Sequence, residues 1–178
     1  MVGRLREYRT IHDATAAALR AVPRHEFVPG DRRDEAYDDR PLPIGDGQTI
    51  SAPHVVARMC DLLELGTGDR TLEIGTGCGY HAAVTAELVG SATVHSVEYS
   101  RRLAASARDR LDRLGYGGIS IRVGDGREGW PDHAPYDAGY LTCAVGSFPE
   151  SVVAQLRDGG RLVGPIGHGG VRFVEMRG

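Results

Sequence analysis

A chain of 178 residues with 41% hydrophobic and 25% charged content has the size and balance of one globular domain with a sizeable core. Its net charge of −3 gives no basic footprint for nucleic acid, no apolar run approaches the ~20 residues of a membrane span, and the N-terminus has no apolar signal core. Three cysteines without a close pair supply neither a disulfide framework nor zinc-ligand spacing and suit a reducing cytosol. The chain therefore reads as cytoplasmic and metal-free, with no nucleic-acid or membrane partner. All 21 Lys-plus-Arg positions are arginine and asparagine is absent, as a G+C-rich genome would produce.

In chain order, residues 11–21 form an alanine-rich helix stopped by Pro23. Residues 31–40 are a polar, charged stretch, and residues 41–48, with two prolines and two glycines, read as a loop. A second helix is expected over residues 52–65, with Ser51 as N-cap and Pro53 in its first turn. Val56, Met59, Cys60 and Leu63 recur along it at helical spacing.

From Thr71 the pattern alternates. Strands are expected over 71–74, 93–98, 120–124, 136–142 and 161–165, with helices over 81–89, 100–114 and 149–156. Such alternation predicts a doubly wound α/β fold, a mostly parallel sheet with helices on both faces. Ligands of such sheets lie outside the carboxyl ends of the strands, where strand order reverses.

Three elements fall on that edge. The first strand ends in Gly75-Thr76-Gly77-Cys78-Gly79, a tight turn in which glycine lets the backbone approach a ligand closely. Its Gly-x-Gly-x-Gly spacing differs from the Gly-x-Gly-x-x-Gly of dinucleotide sites. Preceded by Glu73, it is similar to the first motif of class I methyltransferases, which bind S-adenosylmethionine; a purely structural glycine turn is the alternative. Glu98 closes the second strand, where a carboxylate can accept from both hydroxyls of a ribose. Asp125-Gly126 closes the third, where class I methyltransferases place an acid near the adenine amino group. Cys143 has no base placed beside it by spacing and reads as a small side chain near the pocket floor.

Longer stretches carry a more specific resemblance. Val22-Pro23-Arg24-His25-Glu26-Phe27-Val28-Pro29, the run Arg40 to Pro53 containing Gln48-Thr49-Ile50-Ser51, Val123 to Trp130, Ala134 to Ala138 and Gln155 to Val163 resemble the protein-L-isoaspartate O-methyltransferase family over about residues 11–167. The resemblance implies a single Rossmann-like methyltransferase domain over 1–178, with residues 1–65 as a helical and substrate-loop region and 66–178 as the cofactor-binding core. It implies S-adenosyl-L-methionine as cofactor, held by Gln48, Thr49, Ile50, Ser51, Glu73, Gly75, Thr76, Gly77, Gly79, Glu98, Tyr99, Asp125 and Gly126. Ser51 is the catalytic candidate, holding the α-carboxylate of an isoaspartyl residue. Isoaspartyl proteins and peptides would be the substrates, and the enzyme a monomer. Two departures stand out: Cys143-Ala144-Val145-Gly146-Ser147-Phe148 replaces an alanine-rich run with a proline, and a hairpin before the last strand is missing. Gly167 to Gly170 is then expected to connect 161–165 tightly to an antiparallel edge strand, 171–176, shortening the C-terminal edge of the sheet. A methyltransferase of a small molecule or RNA, and a cofactor-binding module without catalysis, are the alternatives.

Overall fold

The alternation after Thr71 builds a six-stranded sheet in a computed structural model that describes residues 1–8, 10–167 and 172–177. The N-terminal part supplies α1 (Val2–Tyr8), α2 (Asp13–Ala21), strands β1 (Leu42–Gly45) and β2 (Gln48–Ile50), and α3 (Pro53–Leu63). The sheet region follows as β3 (Thr71–Ile74), α4 (Tyr80–Val89), β4 (Val94–Glu98), α5 (Arg101–Arg113), β5 (Ser120–Val123), β6 (Tyr136–Leu141), α6 (Glu150–Val153), β7 (Leu156–Ile166) and β8 (Arg172–Arg177). Strand order is β5-β4-β3-β6-β7-β8, parallel throughout except for β8, which runs antiparallel to β7. Sequence order reverses between β3 and β6, which puts the ligand edge at their carboxyl ends.

Side-chain alternation assigns the two faces of the sheet. Leu72 and Ile74 of β3 pack with Leu141 and Leu162 against Val152 of α6. Ala138, Tyr140 and Val163 face Met59 and Leu63 of α3 on the other side. α2 and α4 join through alanines, among them Ala16, Ala82 and Ala83, whose small side chains let the helices approach closely. The sheet is thus covered on both faces, as the alternating pattern predicts.

Several local readings change. Residues 41–48 are not an irregular loop: Leu42 pairs with Ile50 and Pro43 with Thr49 in an antiparallel hairpin. Its two-residue turn is Asp46-Gly47, with φ +51° and +70°, the doubly left-handed turn that matches strand twist. Ser51 is not the N-cap of α3. Ala52 holds that position without a side-chain bond, and the Asp39 carboxylate accepts the His54 N–H at 2.9 Å instead. α3 stops at Leu63, where Glu64 turns left-handed with φ +48°, and Arg161 donates to the exposed-end carbonyl of Leu62 at 3.2 Å. The helix expected over 149–156 shrinks to α6, because β7 already begins at Leu156. The antiparallel edge strand forms over Arg172–Arg177, pairing Leu162 with Met176. The expected tight connection falls on residues 168–171, which lie outside the described residues.

Candidate active site

β3 turns at Ile74 directly into the glycine loop. Gly75 has φ +98°, and a Cβ there would stand 2.2 Å from Thr142 Oγ1, which donates to the Gly75 carbonyl at 2.7 Å. Gly77 has φ +55°, and its backbone N–H donates to Glu98 Oε2 at 2.8 Å. The Ser100 N–H donates to Glu98 Oε1, also at 2.8 Å. Two turns at neighbouring strand ends therefore grip one carboxylate and fix its orientation. A carboxylate has roughly four lone-pair directions, so each Glu98 oxygen keeps one for a ligand hydroxyl.

The β1–β2 hairpin forms the opposite wall. Gln48, Thr49, Ile50 and Ser51 border the same cavity as the glycine loop, and its volume is about 340 Å3, of the order of a small-molecule site. At the hairpin tip Asp46 accepts from Ser100 Oγ and from Arg102 Nε at 2.9 Å, bridging the cavity mouth to the start of α5. These donors hold the Asp46 carboxyl below its ordinary pKa, Arg102 contributing most.

Every residue expected at the site borders this cavity except two. Gly79 is the N-cap of α4 with φ +89°, and the Leu111 side chain lies 3.1 Å from where its Cβ would be; its role is helix start and packing. Glu73 is fully buried on the α3/α4 face of β3, behind the glycine loop, and does not line the cavity. Its Oε2 is hydrogen-bonded to Ser96 Oγ, and Ser96 Oγ in turn bonds Thr76 Oγ1. Burial pushes the Glu73 carboxyl up to about 8, offset in part by the neighbouring hydroxyls of Ser96 and Tyr140.

Asp125 borders the cavity but is already engaged. It accepts the Arg127 N–H at 2.9 Å and pairs with the Arg127 guanidinium, an Nη lying 2.6 Å away, which lowers its pKa to about 2. Gly126 is required for space, because a Cβ would fall 2.3 Å from Ile74 Cγ2. Tyr99, 83% exposed, projects at the mouth next to Glu98. Cys143 borders the cavity with its thiol raised above its ordinary pKa by desolvation and by the Glu98 charge, the reverse of an activated nucleophile.

The wall includes residues that sequence reasoning passed over. Tyr80 and His81 open α4, and Thr142 follows β6. Tyr80 is propped from behind by Arg24, whose Cζ lies 4.7 Å from the ring centroid and whose Nε donates to the Ala36 carbonyl at 2.7 Å. That explains why the run around Val22-Pro23-Arg24 belongs with the site although it lies far from it in sequence.

The model of the protein-L-isoaspartate(D-aspartate) O-methyltransferase (PCMT) family matches residues 1–176. The chain belongs to this family. It is 48% identical over 197 residues to protein-L-isoaspartate O-methyltransferase 2 of Archaeoglobus fulgidus, covering 98% of this chain and 90% of that one. An alignment longer than the chain itself leaves positions of that PCMT relative unmatched here, in keeping with a missing segment. A solved protein-L-isoaspartate O-methyltransferase superposes with TM-score 0.85 at 36% identity over 93% of this chain, which spans 54% of that structure's length. A structure described as a putative PCMT from Plasmodium falciparum, in complex with S-adenosyl-L-homocysteine, superposes with TM-score 0.81 over 99% of this chain and 92% of its own; at 20% identity it bears on the fold alone.

Proposed function

We propose that the chain transfers a methyl group from S-adenosyl-L-methionine to the α-carboxylate of L-isoaspartyl residues in damaged proteins and peptides. The observation that carries this reading is the convergence of Gln48-Thr49-Ile50-Ser51 with the glycine loop, Glu98 and Asp125 on one cavity. Methyltransferases of small molecules or RNA need the last three elements; they do not need that hairpin sequence.

The residues present fit the cofactor. Gly75 and Gly77 leave room for close approach of the backbone, and Glu98 keeps acceptor capacity for two ribose hydroxyls. Asp125 would hold the adenine amino group, and Tyr99 at the mouth would border the base. When bound, S-adenosyl-L-methionine supplies an electrophilic methyl carried on a sulfonium. The acceptor carboxylate has an ordinary pKa of about 3.5 and is ionised at neutral pH, so no side chain has to remove a proton. The work of the chain is then to place and to dry. Ser51, released from helix capping by Asp39, orients the carboxylate with its hydroxyl, while Ile50 and the hairpin backbone exclude water beside it. The ester can expel methoxide where a carboxylate would have to expel oxide, so the following backbone amide nitrogen closes on the ester carbonyl, methanol departs, and hydrolysis of the succinimide returns part of the damage to normal aspartate.

The acceptor is protein rather than nucleic acid, a reading the net charge of −3 supports, and among the described residues no helix is long and apolar enough to cross a membrane. Methyl transfer measured on an isoaspartyl peptide, on its aspartyl twin and on bulk RNA tests the reading. Only the isoaspartyl peptide should be labelled. Labelling of RNA, or of neither peptide, overturns it.

A further inference from the structure

The buried side of the glycine loop holds a chain of hydroxyls that ends on a carboxyl. Glu73 is 0% exposed, its Oε2 meets Ser96 Oγ, and Ser96 Oγ meets Thr76 Oγ1, with Thr76 bordering the cavity. Its other oxygen, Oε1, has no hydrogen-bond partner among the described residues. Among the described residues the surroundings supply no compensating cation. On β4 it faces Ser96 and feels the like charge of Glu98, and on β6 it lies level with Tyr140, whose hydroxyl bonds Thr85 Oγ1 at 2.9 Å. α4 contributes His81, stacked on Tyr140 at 4.3 Å between ring centroids and kept neutral by burial, and α3 contributes Cys60, 3.6 Å from His81 Nε2. A carboxylate buried this way leaves a full charge uncompensated, whereas a carboxylic acid leaves only one carbonyl oxygen unpaired.

Each hydroxyl in the chain has one proton, so the state of Glu73 sets the direction of the whole row. If Glu73 is ionised, Ser96 donates to it and Thr76 donates to Ser96, leaving Thr76 only lone pairs to offer elsewhere. If Glu73 is protonated, it donates to Ser96, Ser96 donates to Thr76, and the Thr76 proton is available to an acceptor on the cavity side. We propose that Glu73 is a positioning residue that works in its protonated form, acting through Ser96 to make the Thr76 hydroxyl a hydrogen-bond donor toward an acceptor group of the bound cofactor. This rests on the reading of the cavity as an S-adenosyl-L-methionine site and adds that the acid of the glycine motif acts from behind the wall, as a neutral group.

Calorimetric titration with S-adenosyl-L-methionine, below and above pH 8, tests it on the parent, Glu73→Gln and Thr76→Val. The α-amino group of the cofactor itself ionises near 8, so differences between proteins carry the information. Glu73→Gln, whose amide donates to Ser96 at every pH, should match the parent below pH 8 and bind about tenfold tighter than it well above. Thr76→Val should bind more weakly than the parent at low pH and show none of the extra pH dependence. The infrared difference between the parent and Glu73→Gln without cofactor should contain the carbonyl stretch of a protonated carboxylic acid at neutral pH. Binding by the parent that Glu73→Gln loses at all pH values overturns the proposal alone. Absence of the acid band overturns it as well. If Glu73→Gln fails to fold, the same band followed in the parent must disappear as pH rises through about 8, or the proposal falls. A parent that binds no cofactor at any pH overturns the reading of the cavity, and the proposal with it.

Discussion

Asp46, at the tip of the β1–β2 hairpin, is held by Arg102 of α5 with two guanidinium nitrogens, Nε at 2.9 Å and an Nη at 2.6 Å, on the same carboxylate oxygen. Arg102 lies four residues past Glu98, so the wall bearing Ser51 is tied to the helix that follows the strand end carrying the proposed ribose acceptor. Asp46→Gly should loosen that tie without touching the sheet, since glycine keeps the left-handed turn position. We expect a severalfold rise in the dissociation constant for S-adenosyl-L-methionine and a rise in KM for peptide, with thermal stability nearly unchanged because both partners are solvent-screened. Calorimetry and melting curves on the same variant check this; unchanged affinity and KM would reduce the pair to a surface contact.

Asp39 takes the capping role that the sequence suggests for Ser51, and the difference is measurable. Asp39 supplies the acceptor at the start of α3, so Asp39→Ala should cost about 1 kcal/mol of stability, as loss of a helix cap does. Ser51→Ala should stay within ~0.5 kcal/mol of the parent, bind cofactor normally and lose most methyl transfer. Denaturant unfolding and peptide methylation on both variants separate the two. Equal destabilisation by both, with turnover intact in Ser51→Ala, would return Ser51 to the helix.

Glu98 serves the backbone and the ligand at once. Glu98→Ala removes a charge-assisted acceptor worth roughly 1.5–3 kcal/mol, so cofactor affinity should fall about tenfold to hundredfold. It also strands the N–H groups of Gly77 and Ser100, so the variant should unfold at lower denaturant. Affinity that is unchanged in a folded Glu98→Ala protein would mean the carboxylate shapes the turns and nothing else.

His95 predicts a loss of stability in acid. It is buried against His133, with ring centroids 4.1 Å apart, and desolvation followed by the His133 charge lowers its pKa to about 4. Below about 6.5 the unfolded chain takes up a proton that the folded chain refuses. Stability from this residue is therefore fully present above 6.5 and lost as pH falls toward 4, by up to about 1.4 kcal/mol per pH unit. His95→Phe keeps an aromatic ring but cannot titrate. Its unfolding free energy, followed over the same window, should fall less steeply than the parent's; parallel curves would refute the assignment.

What the sequence discloses here is what local patterns encode. Gly75-Thr76-Gly77, Glu98 and Asp125 each close an apolar strand run, and a parallel sheet brings successive strand ends to one edge. Depth is not encoded that way. Glu73 stands two residues before Gly75, yet alternation turns it toward α3 and α4, where only packing decides that it is buried behind the wall. The Asp39 cap is invisible because its partner is 15 residues away, and local rules favour the nearer Ser51. The hairpin was legible in Asp46-Gly47, but Pro41 and Pro43 argued against a strand; β1 tolerates Pro43 because the hairpin is an isolated pair with outward-facing edges. Arg24 beneath Tyr80 requires knowledge of which helix packs over residues 22–29, and no periodicity supplies it.

β1 and β2 hydrogen-bond with each other and form a sheet separate from the six strands. The residues proposed to choose what is methylated therefore hang on side-chain ties such as Asp46 to Arg102, outside the ladder on which folding depends. Inherited changes in residues 42–51 can redirect such a chain toward a different acceptor while the register of the large sheet stays fixed. Divergence of acceptor choice among descendants is then limited by the geometry of one short ribbon rather than by the foldability of the whole domain.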